Sequence, residues 1–231
     1  MQHFTIAIDG PAGAGKSTIA KAAAARLNFI YIDTGAMYRA MALYFVREGF
    51  STFSDEPALQ SICAQASVTI RYEEGIQQVI LNGENVSTQI RTEEVGKQAS
   101  IISSYLPVRQ KLVELQQQLA KEANVIMDGR DIGTCVLPKA QVKIYLTAST
   151  EVRARRRFQE LKAKGQECSL EEIQKEIEDR DYRDMHREHS PLSQAEDAVL
   201  VDTSAMTIEQ VIDRIIQIAG EKGLHEGRIW K

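Results

Sequence analysis

The sequence predicts an α/β fold, a five-stranded parallel sheet flanked by helices, with a small antiparallel β-meander inserted into it. Three observations lead there. Short apolar runs alternate with helical stretches over the first third of the chain, and that order implies parallel strands joined by helical crossovers. An Asn82-Gly83 pair sits between two β-type runs, a two-residue hairpin signal because both positions tolerate positive φ. The 231 residues are 43% hydrophobic and 26% charged, enough apolar content to bury a core and too much for wholesale disorder. At about 150 residues per domain, the length predicts a single domain, 1–231, with an insertion.

Phe4 to Ile8 is an apolar run ending at Asp9-Gly10, the pattern of a buried strand. From Gly15 to Leu27 the chain is alanine-rich and predicts a helix. Phe29 to Ile32 is β-branched and aromatic, a second strand. Residues 36 to 48 resume a helical pattern, with Met37, Ala40, Met41 and Tyr44 on one face. A short helix near 56 to 66 precedes Val68 to Tyr72, Gln77 to Leu81 and a stub at Glu84 to Val86, the three strands of the meander. Helices from about 92 to 103 and 107 to 122 follow, with Pro107 in the first turn of the second. Asn124 to Asp128 and Val142 to Thr147 return to strand. Residues 150 to 164 read as a charged helix ended by Lys164-Gly165, and Ser169 with Glu172 reads as a capping box for a helix to about His186. Val199 to Val201 is the fifth sheet strand, and Thr207 with Gln210 caps a last helix to Ala219.

Charge and cysteine usage exclude several classes. Lys plus Arg is 28 against 32 Asp plus Glu, a net charge of −4, which argues against a general nucleic-acid binder. Cys63, Cys135 and Cys168 are widely spaced and odd in number, so they suggest free thiols in a reducing cytosol rather than a disulfide or zinc framework. No apolar run approaches ~18 residues, and the N-terminus shows no signal-peptide pattern. A cytoplasmic protein is expected.

Gly10-Pro11-Ala12-Gly13-Ala14-Gly15-Lys16-Ser17 fits G-x-x-x-x-G-K-[ST] in full, between a strand and a helix. Glycines let backbone amides point inward, the helix N-terminus favours an anion, Lys16 reaches the outer phosphates, and the Ser17 hydroxyl can hold Mg²⁺. Nucleoside-triphosphate binding follows. Three further stretches carry chemistry. Asp33-Thr34-Gly35-Ala36-Met37-Tyr38-Arg39 lies at the ligand end of a strand, where helix N-capping would explain Asp33 and Thr34 equally well, while Arg39 favours an anion. Asp128-Gly129-Arg130-Asp131 ends another strand; a loop salt bridge explains one pair but leaves Asp128 where P-loop proteins hold a metal-associated acid. Arg153, Arg155, Arg156, Arg157, Arg180, Arg183 and Arg187 follow, the last three interleaved with Glu178, Asp179, Asp181 and Asp184. Most such charges are expected on solvated helix faces, yet phosphoryl transfer needs cations, and arginine meets phosphate oxygens bidentately. Arg180, Asp184 and Arg187 are expected on one helix face.

The combination D-G-P-x-G-x-G-K, D-x-G-x-x-Y-R, D-G-R-D and R-D-x-R-D-x-x-R resembles the bacterial cytidylate kinases from Ile6 to about Gln217, and I-R-T-E-E-V at 90 to 95 matches outside the active-site motifs. The resemblance implies transfer of the ATP γ-phosphate to CMP or dCMP with Mg²⁺, a monophosphate-binding insertion at about 50–92 and a helical lid at about 150–168. It assigns ATP to residues Gly10 to Ser17 with Thr18, Arg156 and Arg157. It assigns the CMP phosphate to Arg39, Arg130 and Arg187, the cytosine edge to Ser100, Arg109 and Asp131, and the sugar to Arg180 and Asp184. Thr34, Tyr38 and Gly129 complete the acceptor set, and Ser17 with Asp128 would hold the metal. Ser100 is placed by its spacing to Arg109, with Ser103 and Ser104 as rivals. The expected catalytic group is Lys16, Asp128, Arg130 and Arg187, acting in a monomer on small molecules, with neither nucleic acid nor membrane as partner. The segment Leu224 to Lys231 has no assigned role.

Two rivals stay open on residues alone. A nucleotide-dependent switch would need a guanine-reading N-K-x-D after a strand, which the sequence lacks. A kinase for another small acceptor is not excluded by the P-loop, although the D-G-R-D motif together with the meander argues against it.

Overall fold

The structure, a computed structural model, describes residues 3–50 and 56–224. Residues 51–55 of the expected insertion, and the tail after Leu224, lie outside the described residues. In chain order the elements are β1 (Thr5–Asp9), α1 (Lys16–Leu27), β2 (Ile30–Asp33), α2 (Thr34–Arg47), α3 (Glu56–Gln65), β3 (Val68–Glu73), β4 (Ile76–Leu81) and β5 (Glu84–Asn85). They continue with α4 (Glu93–Ile102), α5 (Leu106–Leu119), β6 (Val125–Gly129), β7 (Val142–Thr147), α6 (Thr150–Ala163), α7 (Leu170–His186), β8 (Val199–Asp202) and α8 (Ile208–Glu221). The chain forms two compact units, one of Met1–Tyr31 with Ala123–Lys231 and one of Ile32–Glu122.

The main sheet has five strands in the order β2-β6-β1-β7-β8. The β1–β6, β1–β7 and β7–β8 ladders are parallel, as the alternation of strand and helix requires. Ile6 and Ile8 share a face with Ile126, Ile144, Leu146 and Val201, and that face receives the apolar sides of α1 and α8. Ala7 and Met127 on the alternate face are equally inaccessible, so the sheet is covered on both sides, as parallel sheets are. Register sets Ile8 opposite Asp128 and Asp9 opposite Gly129. The loops after β1 and β6 therefore leave the sheet side by side at its carboxyl edge, where open α/β sheets bind ligands.

The second unit packs α2, α4 and α5 with the meander β3-β4-β5 around Met37, Met41, Phe45, Leu81, Ile90, Ile102 and Leu112. Both hairpins are two-residue turns with positive φ at each position: Glu74 (52°) with Gly75 (76°), and Asn82 (49°) with Gly83 (89°). The expected meander is thus present.

Local signals explain the element ends. α2 begins at Thr34, two residues before the expected 36, because the Asp33 carboxylate caps it by accepting from Ala36 N at 2.9 Å. Thr207 and Gln210 form both bonds of a capping box, whereas at Ser169 only the serine half is formed, its Oγ accepting from Glu172 N at 3.4 Å. Two short elements carry no expectation from the sequence: a 3₁₀ turn at Gln89–Arg91 and a widened helical turn at Ile132–Val136.

One expectation about α7 is corrected. The helix ends at His186 and Arg187 is extended (φ −68°, ψ 146°), so Arg180 and Asp184 share a helix face but Arg187 does not. The expectation of solvated charges also fails in part, since Arg153, Asp181 and Asp184 are buried.

Gly10 shows how tightly the sheet edge is built. Its φ is +150°, and a Cβ there would fall 1.9 Å from the backbone oxygen of Leu146 on β7. Strain and overpacking each cost about 1–3 kcal/mol, so Gly10→Ala should lower stability by roughly 3 kcal/mol or more. Gly165, also at positive φ but with no neighbour within 4 Å, provides the control. Gly165→Ala should cost only about 1 kcal/mol. Denaturant unfolding of the two variants checks this, and equal losses would show that φ alone, not the approach to Leu146, matters at Gly10.

Candidate active site

The loop from β1 to α1 takes its shape from Gly13 and Gly15, whose φ values are 73° and 85°. Its chain turns so that Lys16 is the first residue of α1 and is almost wholly buried. The Lys16 ammonium donates to Pro11 O at 2.7 Å. Burial holds its pKa well below the usual lysine range, Arg130 and Arg180 add to the depression, and Asp128 and Asp184 oppose it. Ala12 is gripped on both sides of its Cα: its N–H donates to Asp181 Oδ1 at 3.0 Å, and its oxygen accepts from Arg153 at 2.9 Å. Arg153 and Asp181 are themselves an ion pair, 5% and 8% exposed. Both come from helices far along the chain, α6 and α7. Reading the sequence placed them among the solvated charges and missed them, because nothing in a helical charge run marks which residue points to a loop some 140–170 positions away.

At the end of β6, Asp128 accepts from the Ser17 hydroxyl at 2.9 Å through one oxygen and from Tyr31 OH at 2.8 Å through the other. A hydroxyl and a carboxylate side by side are hard oxygen donors, the kind Mg²⁺ takes when phosphates and water supply the rest of its shell. The pair therefore fits the metal expected there. Among the described residues no group of three or more His, Cys, Asp or Glu is placed to hold a metal ion.

Arg130 and Asp184 form an ion pair at 2.8 Å, both largely buried. Burial pushes the Asp184 carboxyl up, but Arg130, Arg180 and Arg187 outweigh it and hold the group below the usual range. Arg187 lies 3.6 Å from Asp131 and donates through Nε to Ser190 O at 2.6 Å. Thus Lys16, Asp128, Arg130, Asp131, Arg180, Asp184 and Arg187 belong to one connected set in the first unit. Asp9, absent from the expected site, underpins it. Its two oxygens accept from Ile132 N at 2.8 Å and Gly133 N at 2.7 Å, fastening the chain directly after Asp131. Its position at a strand end, before the phosphate loop, was the available signal.

Arg156 and Arg157, assigned to ATP by resemblance, make other bonds. Arg156 donates to Thr203 Oγ1 at 3.1 Å and to Thr203 O at 2.8 Å, and Arg157 lies 3.5 Å from Glu160 at the surface. Ser17 and Thr18 are exposed at the start of α1.

In the second unit, α2 carries Thr34, Tyr38 and Arg39. Arg39 donates through one nitrogen to Ile90 O at 3.0 Å and Thr92 O at 3.2 Å. Arg91 pairs with Asp33 at 3.2 Å, so Asp33 serves both as helix cap and as counter-ion. The Arg109 guanidinium, 3% exposed, lies 5.7 Å from the Tyr38 ring centre and donates to Ser103 O at 3.1 Å. Of the three serines, Ser103 and Ser104 spend their hydroxyls on Ser100 O and Ile101 O. The Ser100 hydroxyl is buried and has no hydrogen-bond partner among the described residues.

A glycine-rich turn between a parallel strand and a helix, closing on a buried lysine and a serine–aspartate pair, defines a P-loop protein that binds nucleotide phosphates. Residues 6–221 match the family described as cytidylate kinase. A cytidylate kinase of Leuconostoc mesenteroides is 47% identical over 218 residues, 94% of this chain and 97% of that one. Those of Listeria welshimeri and Desulforamulus reducens are 50% identical over 222 residues and 51% over 215, covering 96% and 93% of this chain and 98% and 96% of theirs. The chain belongs to the cytidylate kinase family.

Asp9 supplies a pH test of this architecture. Burial raises its carboxyl to about 6 against the two amide bonds, Asp131 adds to the rise, and Lys16 opposes it. Since the folded value lies above the ordinary 3.8, the folded protein holds this proton more tightly than the unfolded chain does. The stability Asp9 contributes is greatest below about pH 4 and declines as pH rises to 6, by roughly 3 kcal/mol for a two-unit shift. A carboxyl-carbon NMR titration should show a step near 6 that Asp9→Asn removes; a midpoint near 4 would contradict the environment described.

Proposed function

We propose that this protein transfers the γ-phosphate of ATP to CMP or dCMP, giving ADP and CDP or dCDP, in pyrimidine nucleotide metabolism. The observation that carries the reading is membership of the cytidylate kinase family across 6–221, with the phosphate loop, D-G-R-D and the α7 arginines all present. An oxygen of the acceptor monophosphate attacks the γ-phosphorus in line as the bond to the β-bridging oxygen breaks. The acceptor is already an anion, so no strong base is required; positioning and charge neutralisation are. Mg²⁺ bound with ATP, near Ser17 and Asp128, would neutralise the phosphate oxygens.

Lys16 follows the migrating phosphoryl group as a point charge. By resemblance, residues Gly10 to Thr18 hold the triphosphate, with Arg156 and Arg157 from a lid at about 150–168. Arg39, Arg130 and Arg187 take the acceptor phosphate, Arg180 and Asp184 its sugar, and Ser100, Arg109 and Asp131 its base, with Thr34, Tyr38 and Gly129 beside them. The buried, unpartnered hydroxyl of Ser100 supports choosing it over Ser103 and Ser104. The segment at about 50–92 belongs to monophosphate binding. We take the protein to act as a cytoplasmic monomer on small molecules; no helix among the described residues is long and apolar enough to cross a membrane.

A coupled ADP-release assay across a panel of acceptors tests the reaction, with CMP and dCMP expected far ahead of AMP and of small sugar or hydroxy-acid acceptors. Lys16→Ala should fold and lose turnover by the equivalent of roughly 3 kcal/mol or more in barrier, since a preorganised cation on the transferring group is gone. A folded variant with near-normal turnover would overturn the loop's catalytic role.

Base choice gives a second test. Cytosine donates from its 4-amino group and accepts at N3, and uracil reverses both. A carboxylate at Asp131 and a guanidinium at Arg109 match cytosine alone, and a mismatched bidentate pair costs about 1–3 kcal/mol. Asp131→Ala should therefore lower kcat/KM for CMP more than for UMP. Equal falls would assign Asp131 to its ion pair with Arg187 instead.

A further inference from the structure

Gly96 is the fourth residue of the ten-residue helix α4, where glycine is a poor helix former, and its backbone is ordinary right-handed helix, which any residue adopts. No turn or left-handed conformation explains it. A Cβ at Gly96 would lie 2.8 Å and 2.9 Å from the two terminal nitrogens of Arg39 and 3.1 Å from its Cζ. The two nitrogen distances are shorter than a side-chain carbon tolerates, and the end of the guanidinium stands where a side chain would be. The same guanidinium donates to Ile90 O and Thr92 O, the carbonyls of the 3₁₀ turn and of the residue that caps α4. Thr92 fixes that corner by accepting from Val95 N through its own hydroxyl. Arg39 is thus held from two directions, by carbonyls ahead of the helix and by bare backbone at its second turn. This also gives a purpose to the 90–95 segment, which the sequence placed outside the active-site motifs.

We infer that Gly96 is a positioning residue: its missing side chain sets the pose of the Arg39 guanidinium and through it the affinity for the acceptor's monophosphate. The inference rests on the reading of Arg39 as an acceptor-phosphate ligand. The fold has little stake in this clearance, because the atoms a methyl group would meet are the far end of a long, flexible side chain, which can swing aside. The cost of a methyl therefore falls on where the guanidinium points, while the helix gains a better helix former.

The test compares wild type, Gly96→Ala, Arg39→Ala and the double variant by thermal unfolding and by KM and kcat for CMP and for ATP. Gly96→Ala should unfold at the wild-type temperature or higher. Its KM for CMP should rise roughly tenfold with KM for ATP within about twofold, and it should add nothing further in the Arg39→Ala background. A wild-type KM for CMP in Gly96→Ala overturns the inference. So does a lowered unfolding temperature with equal losses for both substrates, which marks a merely structural glycine, and so does an additive loss in the double variant, which separates Gly96 from Arg39. An unchanged KM for CMP in Arg39→Ala overturns instead the reading of Arg39 on which the inference stands.

Discussion

Burying several cations at one sheet edge is costly, and the first unit is arranged around that cost. Lys16, Arg130 and Arg180 lie close enough for each guanidinium to depress the lysine, and burial depresses it further. Asp128 and Asp184 offset part of this, and Asp184 is held ionised against burial by its arginines. Cations held in place by carboxylates at one sheet edge are preorganised, which is the condition under which they act on phosphate oxygens without rearranging. The depressed Lys16 and the lowered Asp184 are thus two sides of one arrangement.

Holding that set requires backbone fixed from outside the loop itself. The phosphate loop is fastened by Arg153 and Asp181, which from α6 and α7 bond the peptide groups on either side of the Ala12 Cα. Asp9 does the same for the chain after Asp131, at the price of a carboxylate kept where charge is disfavoured. In both places a buried carboxylate bonds backbone amides next to the charged set. Family membership describes the front of the site, and these supporting groups explain how the front is kept in place.

In the second unit, backbone carbonyls help to orient the arginines. Arg39 is oriented by two backbone carbonyls and Arg109 by one, with an aromatic face beside it. Asp33 is a carboxylate shared between a helix cap and Arg91, and it shows that the capping and ionic readings of one residue need not exclude each other.

What the sequence by itself determined is what neighbours in the chain decide. Hairpins at Glu74-Gly75 and Asn82-Gly83, proline at the start of α5, the box at Thr207 and the phosphate loop are written in a few consecutive residues, because turn φ values, caps and amide cradles are local chemistry. Motif order then sufficed to point to the family. The tertiary structure alone decided the strand order β2-β6-β1-β7-β8, which sets Asp9 against Gly129. It also decided the departure of Arg187 from its helix, the burial of Arg153 and Asp181 within runs that look solvated, and the contact that explains Gly96. Each of these depends on pairings between residues far apart in sequence. A helical charge pattern repeats every few residues and carries no mark of which of its members will meet a distant loop, so only the packed chain can choose among them.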